Sequence, residues 1–301
     1  MDKNQYLRNL VKPEGLVDVV LDTDAYNEID DQFAISLIMK MPEKFNVKAL
    51  YAAPFFNGHS TSPKDGMEKS YYEILNLLKL MGKSDFTSVY KGSDDYLKSE
   101  TEANFSDAAK HLVNLAKNYS PTNPLYVLAI GAITNVASAL IIDPSIAENI
   151  VIVWLGGHAF HWRDTKEFNM YQDVAAARVV FNSSAPLVIL PCFGVVSAVT
   201  TSRYELEHWL KGKNDLCDYL VQHTIDEAES YAKGKPWTRV IWDITTVLWF
   251  VMDMDQKIVS APLPEYDFTY NFNHNGKPIT YVSYINRDKA FEVLFDVLAN
   301  R

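Results

Sequence analysis

Two cysteines in 301 residues, Cys192 and Cys217, are too few for a disulfide framework, and their spacing matches no zinc motif. Their scarcity fits a reducing, cytoplasmic setting. Basic residues are also in deficit: 28 Lys+Arg stand against 38 Asp+Glu, a formal charge of -10. A chain of that sign repels phosphate backbones, which excludes a general nucleic-acid binder and points to small or neutral partners. No apolar run approaches the roughly 18–20 residues that cross a bilayer. The longest, residues 125–133 and 151–155, read as buried strands. The first ten residues lack the apolar core of a secretory signal, so the chain reads as mature and without a membrane partner. No repeat, low-complexity tract or Gly/Ser linker marks a boundary, and residues 1–301 read as one domain.

Hydrophobic residues make up 48% of the chain, enough for an extensive core. From residue 16 onward, runs of Val, Ile and Leu alternate with segments of helical period, the signature of βαβ units. Strands are predicted over 17–21, 47–52, 87–90, 125–130, 151–155 and 186–190, the last being the final parallel strand. Helices are predicted over 31–41, 64–81, 106–117, from 134 or 135, and over 173–181. Beyond residue 200 the pattern turns helical, at 204–210, 215–231 and 243–252. A loop over 262–277, an exposed strand over 279–285 and an amphipathic helix over 287–298 complete the chain. The fold class is therefore α/β: an open, mostly parallel, doubly wound sheet with helices on both faces and a helical C-terminal cap.

The first strand runs directly into Asp22-Thr23-Asp24-Ala25-Tyr26-Asn27-Glu28-Ile29-Asp30-Asp31, which puts five acidic side chains within ten residues at a strand's carboxyl end. Open α/β sheets bind ligands there. Unit charges about 4 Å apart repel by roughly 4 kcal/mol at an effective dielectric near 20. Asp30 or Asp31 alone could be a helix cap. Capping leaves Asp22 and Asp24 unexplained, whereas a bound cation accounts for all four. The donors are hard oxygens, so Ca²⁺ or Mg²⁺ is expected rather than zinc.

These residues resemble the inosine-uridine type nucleoside hydrolases, whose first strand ends in an Asp-x-Asp-…-Asp-Asp motif. Further landmarks fall in the same order. Gly131-Ala132-Ile133-Thr134-Asn135 looks like the family's Gly-Pro-Leu-Thr-Asn segment. Gly156-Gly157 and Glu167-Phe168-Asn169 look like its Gly-Gly and Glu-Phe-Asn segments, and Asn57 and Asp243 complete the set. The resemblance implies that Asp24, Asp31 and Asp243 hold Ca²⁺ by their side chains and Thr134 by its backbone carbonyl. It further implies that Asp30, Asn57, Glu167 and Asn169 hold the sugar hydroxyls, with Asp22 in support behind them. Each has an ordinary alternative: Thr134 as an N-cap, Asn57 as a turn residue, Glu167 as a solvated loop charge.

The implied activity is calcium-dependent hydrolysis of a ribonucleoside or related N-riboside to free base and ribose, in purine or pyrimidine salvage, by a homo-oligomer of two or four copies. Such a site needs an activated water, hydroxyl clamps and help for the leaving base. Calcium and the Asp24 carboxylate suit the first need. Two departures from the family pattern bear on the last. Five residues separate Asp24 from Asp30, two more than usual. The longer loop either brings Asn27 or Glu28 to the pocket or leaves Glu28 in solvent, the simpler expectation. Trp242 precedes Asp243 where many members have a histidine, so Trp242 suits base stacking. A proton for the base then has to come from His158 or, failing that, His161, His59 or Tyr231. The competing readings are a hydrolase acting on a different riboside aglycone and a non-catalytic binder of calcium and polyols. Retention of Asp24 argues against the binder.

Overall fold

The computed structural model describes residues 1–301. A short helix, α1 (Lys3–Asn9), precedes the first strand, β1 (Val17–Thr23). There follow α2 (Asp31–Met39), β2 (Phe45–Ala52), α3 (Pro63–Leu80), β3 (Val89–Lys91), α4 (Asp107–Ala116), β4 (Leu125–Ala129), α5 (Thr134–Ile142) and β5 (Ile150–Leu155). After α6 (Phe168–Gln172), α7 (Val174–Asn182) and β6 (Leu187–Leu190), a small ribbon pairs β7 (Thr200–Thr201) with β8 (Arg239–Val240) around α8 (Arg203–Trp209) and α9 (Asp215–Ala232). The chain ends with α10 (Ile244–Leu248), β9 (Asp255–Ser260), the paired segments β10 (Leu263–Pro264) and β11 (Tyr270–Asn271), β12 (Pro278–Tyr284) and α11 (Arg287–Asn300).

The main sheet has the order β3-β2-β1-β4-β5-β6-β12-β9, parallel except for the edge strand β9. Strand β1 is the pivot: β2 lies on one side of it and β4 on the other. The order reverses there, and the crevice outside the carboxyl ends of β1 and β4 is the place such sheets bind ligands. Helices cover both faces, α2, α3, α9, α10 and α11 on one and α4, α5 and α7 on the other. Because the central strands are buried on both sides, they read as continuous apolar runs rather than alternating ones. No helix is long and apolar enough to cross a membrane.

Helix α2 is buried at all nine positions, and α10, packed against it, is buried at all five. Phe33, Ile35, Leu37 and Ile38 are fully buried, each contributing roughly 1.5–3 kcal/mol relative to exposure. That packing holds the start of both helices, and the acidic residues on them, against the end of β1.

The sheet extends further than the sequence pattern indicates. The strand expected at 279–285 is β12, and it is interior: Ile279 to Val282 are buried between β6 and β9. It runs parallel to β6, so 186–190 is not the last parallel strand. Strand β9 escapes a pattern reading because five of its six residues are exposed. The helix expected over 243–252 is regular only over Ile244–Leu248.

Just before β12, the Lys277 ammonium donates to the carbonyls of Val180 (2.9 Å), Ser183 (2.9 Å) and Ala185 (2.6 Å), at the end of α7 and just beyond it. Lys277→Met removes the donor to the Ser183 and Ala185 carbonyls, while Val180 keeps the Ser183 hydroxyl at 2.8 Å, and urea unfolding should show a loss of about 2–3 kcal/mol of stability. An unchanged midpoint would mean that water replaces the ammonium.

Candidate active site

Asp22 and Asp24, at the end of β1, are both fully buried. The Asp22 carboxylate accepts one hydrogen bond, from the Asn135 side-chain amide at 2.8 Å, and its other oxygen has no partner. Neither oxygen of Asp24 has one. Asp24 lies beside Gly131, where a methyl group would stand 3.0 Å from its Oδ1 and 3.1 Å from Ala53 Cβ. The space that glycine leaves is occupied by a carboxylate.

Asp30 and Asp243 occupy the N-cap positions of α2 and α10, yet neither side chain accepts a capping hydrogen bond. The carboxylates turn away from their helices and toward Asp31, and oxygens of Asp30, Asp31 and Asp243 lie within 4.8 Å of one another. Capping therefore does not explain them. Asp31 accepts the Thr23 hydroxyl at 2.5 Å, and Asp30 accepts the Trp242 backbone N–H at 3.1 Å. The closest triad thus contains Asp30, with Asp24 next to it; the Thr134 hydroxyl is spent on Asp173 at 2.7 Å.

Burial pushes the Asp22 and Asp31 carboxyls up to about 7. Asp24, Asp30 and Asp243 are driven well above the carboxylate range, first by burial and then by the charge of their acidic neighbours. A hard divalent cation fits this set: the donors are all oxygens, several lack any protein partner, and positive charge is what the cluster wants.

The rest of the pocket, about 270 Å³, opens above this floor. Glu167 lines it but is no solvated loop charge. It caps α6, its carboxylate accepting the N–H groups of Asn169 (2.8 Å), Met170 (3.0 Å) and Gly157 (2.8 Å). Gly157 adopts φ +72, and a side chain there would collide with the Tyr270 hydroxyl, which accounts for the second glycine of the pair. Burial raises Glu167 to about 7 even with three donors holding it down. Asn169 donates its amide to the carbonyls of Ile130 (3.1 Å) and Leu155 (3.0 Å), at the ends of β4 and β5, which points its own carbonyl oxygen the other way. Asn57 is a turn residue whose oxygen accepts the His59 N–H at 2.8 Å; its amide donates to Asn27 Oδ1 at 2.6 Å.

The longer loop brings both Asn27 and Glu28 to the pocket wall. Glu28 does not simply face solvent, because Arg239 Nη2 donates to it at 2.6 Å. Trp242 lines the pocket, edge-on to Phe193 with centroids 5.4 Å apart. Of the candidate proton donors, His158 also lines it, whereas His161 borders a separate cavity, His59 faces Glu227 at 3.9 Å and Tyr231 accepts from Arg239 at 2.8 Å. His158 Nδ1 accepts the Phe193 N–H at 3.3 Å, and burial lowers its pKa. Arg239 and Phe193 have no motif to announce them; only the folded chain brings them here.

The family model for inosine-uridine preferring nucleoside hydrolase matches residues 19–264. This chain belongs to that family. The hydrolase is 29% identical over 253 residues to the pyrimidine-specific ribonucleoside hydrolase RihA of Citrobacter koseri, covering 74% of this chain and 76% of that protein. It is 25% identical over 259 residues to RihA of Salmonella paratyphi A, covering 77% and 79%. Among solved structures it is similar to a plant nucleoside hydrolase, PpNRh1 (TM-score 0.74, 19% identity, 95% of this chain and 99% of that one). The purine-preferring ribonucleoside hydrolase of Gardnerella vaginalis is as similar (0.74, 17%, 94% and 98%). The enzyme is thus a nucleoside N-ribohydrolase of a metal-dependent family, and its buried acidic cluster suits a metal.

The raised carboxyls carry a sign. Asp22, Asp31 and Glu167 hold their protons to about pH 7 in the fold but release them near pH 4 when unfolded. The stability this confers is complete below about pH 4 and lost as pH rises toward 7. In chelator, the melting temperature of the hydrolase should therefore fall between pH 5 and 8, and an added divalent cation should raise it more at pH 8 than at pH 5. A cation effect of equal size at both would rule out the cluster as the binding site.

Proposed function

We propose that this enzyme carries out calcium-dependent hydrolysis of the N-glycosidic bond of ribonucleosides or closely related N-ribosides, releasing free base and ribose. The observation that carries the calcium assignment is Asp24, a fully buried carboxylate with two unpartnered oxygens beside the Asp30, Asp31 and Asp243 triad. Asp24, Asp31, Asp243 and the Thr134 carbonyl would hold the calcium ion, which would supply the positive charge that lets these groups ionise together and would ease deprotonation of water.

The chain's own residues do the rest. Asp24 takes the proton of the attacking water, and Asp22, held by the Asn135 amide, stands behind it. Asp30, with one oxygen on the Trp242 N–H, offers the other to a sugar hydroxyl. The Asn169 carbonyl oxygen, aimed by its two amide contacts, takes a second. Glu167 and Asn57 complete the clamp, Glu167 chiefly by fixing where Asn169 stands. Fixed hydroxyls hold C1′ in line with the water. Trp242 stacks on the base, worth roughly 1 kcal/mol beyond area burial. His158, its Nδ1 held by the Phe193 N–H, forms part of the wall behind it.

The named relatives differ in base, RihA being pyrimidine-specific and the Gardnerella vaginalis enzyme purine-preferring, so the residues on the base side carry the choice here. With this reading go a cytoplasmic setting, supported by two free cysteines, a part in base salvage, and assembly into a homo-oligomer of two or four copies.

The test is release of reducing sugar from a panel of purine and pyrimidine nucleosides, with calcium or with chelator. Wild-type turnover should disappear in chelator and fall by at least about 10³-fold in Asp24→Ala, which removes a general base and a ligand together. No turnover on any nucleoside, with calcium and ribose still bound, would leave a binding protein instead.

A further inference from the structure

The turn between β10 and β11 holds the one residue other than glycine with a positive φ, Phe268 at φ +66. A Cβ makes that backbone costly, and glycine adopts it freely. Such outliers collect where a structure needs a group in one place. The turn is closed by the Phe268 N–H on the Glu265 carbonyl at 2.9 Å, and the Phe268 carbonyl accepts the Thr165 N–H, also at 2.9 Å. What a glycine could not supply is the ring, and that ring lies under the Lys166 ammonium at 5.2 Å.

Lys166 is held from its own side as well. Its N–H donates to Asp164 Oδ1 at 3.0 Å, and the carboxylate of the next residue, Glu167, is fixed by three N–H groups. Lys166 lines the active-site pocket, the one lysine or arginine that does. Its ammonium rests on a ring and not on a carboxylate, so its N–H donors stay free for a ligand. Contact with a ring face holds a cation without neutralising it.

The other pocket groups that carry a proton are weaker candidates. His158 accepts the Phe193 N–H on Nδ1 and burial lowers its pKa, which leaves a neutral ring and a weak acid. The Cys192 thiol is buried and its pKa is raised. The Tyr171 hydroxyl is uncharged, its ring standing edge-on to Phe168 at 5.8 Å.

We propose that Lys166 is the catalytic residue that protonates the departing base, and that Phe268 is the positioning residue that aims it. This rests on the hydrolase reading above. The oxygen of water bonds to C1′ and gives up one proton, which leaves through Asp24 to solvent. The C1′–N bond breaks, and its electron pair goes to the base. The Lys166 ammonium gives a proton to a ring nitrogen of the base, which departs neutral, and the amine takes a proton back from solvent. The ammonium also sets positive charge where negative charge develops, which a hydroxyl does not.

The test compares inosine and uridine, whose bases leave as anions unless protonated, with 4-nitrophenyl β-ribofuranoside, whose phenolate leaves unaided. All three are hydrolysed by the full chain with calcium, in variants whose circular dichroism matches wild type. Lys166→Met should lower kcat/KM for both nucleosides by about 10²-fold or more and change the nitrophenyl riboside by less than about threefold. Phe268→Gly removes the ring and relieves the backbone. It should lower kcat on the nucleosides about tenfold with KM and the nitrophenyl riboside unmoved, while Phe268→Tyr keeps wild-type rates. A merely structural role would lower all three substrates alike, and that result overturns the proposal. So does nucleoside cleavage that survives Lys166→Met but is lost in Tyr171→Phe or His158→Gln, which would put the donor elsewhere. Cleavage of the nitrophenyl riboside with neither nucleoside touched overturns it too, because a working donor would serve them. Failure of all three substrates would instead sink the hydrolase reading itself.

Discussion

Carboxyl groups from three separate elements are packed together without solvent at the switch point of the sheet, and their mutual repulsion is the constraint on which the site is built. Asp22 and Asp24 come from the end of β1, Asp30 and Asp31 from the start of α2, and Asp243 from the start of α10; none is more than 4% exposed. Left alone, such a group would protonate or swell apart. The burial of α2 and α10 at every position holds the two helix starts in place. Their N-terminal dipole ends face negative charge, which offsets part of the repulsion, and a hard cation would offset the rest.

From that floor the pocket divides into two halves of different character. The half nearest β4 and β5 is rigid because its side chains are anchored to regular backbone: Glu167 caps α6 through three N–H groups, and Asn169 bridges the ends of β4 and β5. A clamp set on strand ends keeps its geometry to within the small motions of the sheet. The other half is made of aromatic rings and a loop held by the Glu28–Arg239 pair. A loop change can thus alter the aromatic half while the side chains anchored to the strand ends stay as they are.

Much of this was legible in the order of residues. A strand read as Val, Ile and Leu because both its faces are buried, so β1, β4 and β5 were plain. The acidic cluster at the end of β1 was plain too, since five carboxylates so close in sequence cannot be far apart in space. The exposed edge strand β9 left no apolar trace, and β12 looked like an exposed strand although Ile279 to Val282 are buried. Burial of polar and aromatic residues depends on what lies above them, which no local pattern records.

The sequence by itself determined the fold class, the position of the acidic cluster and the family, because these follow from periodicity and from motifs short enough to lie within one turn or loop. Tertiary structure alone decided the use of each group. Asp30 and Asp243 stand at N-caps without capping, and Glu167 caps a helix while facing the pocket. Arg239 reaches Glu28 from 211 residues away to hold it at the rim. Whether a carboxylate serves a helix, a cation or a substrate depends on its distance from partners brought by other segments, and those distances exist only once the chain has folded.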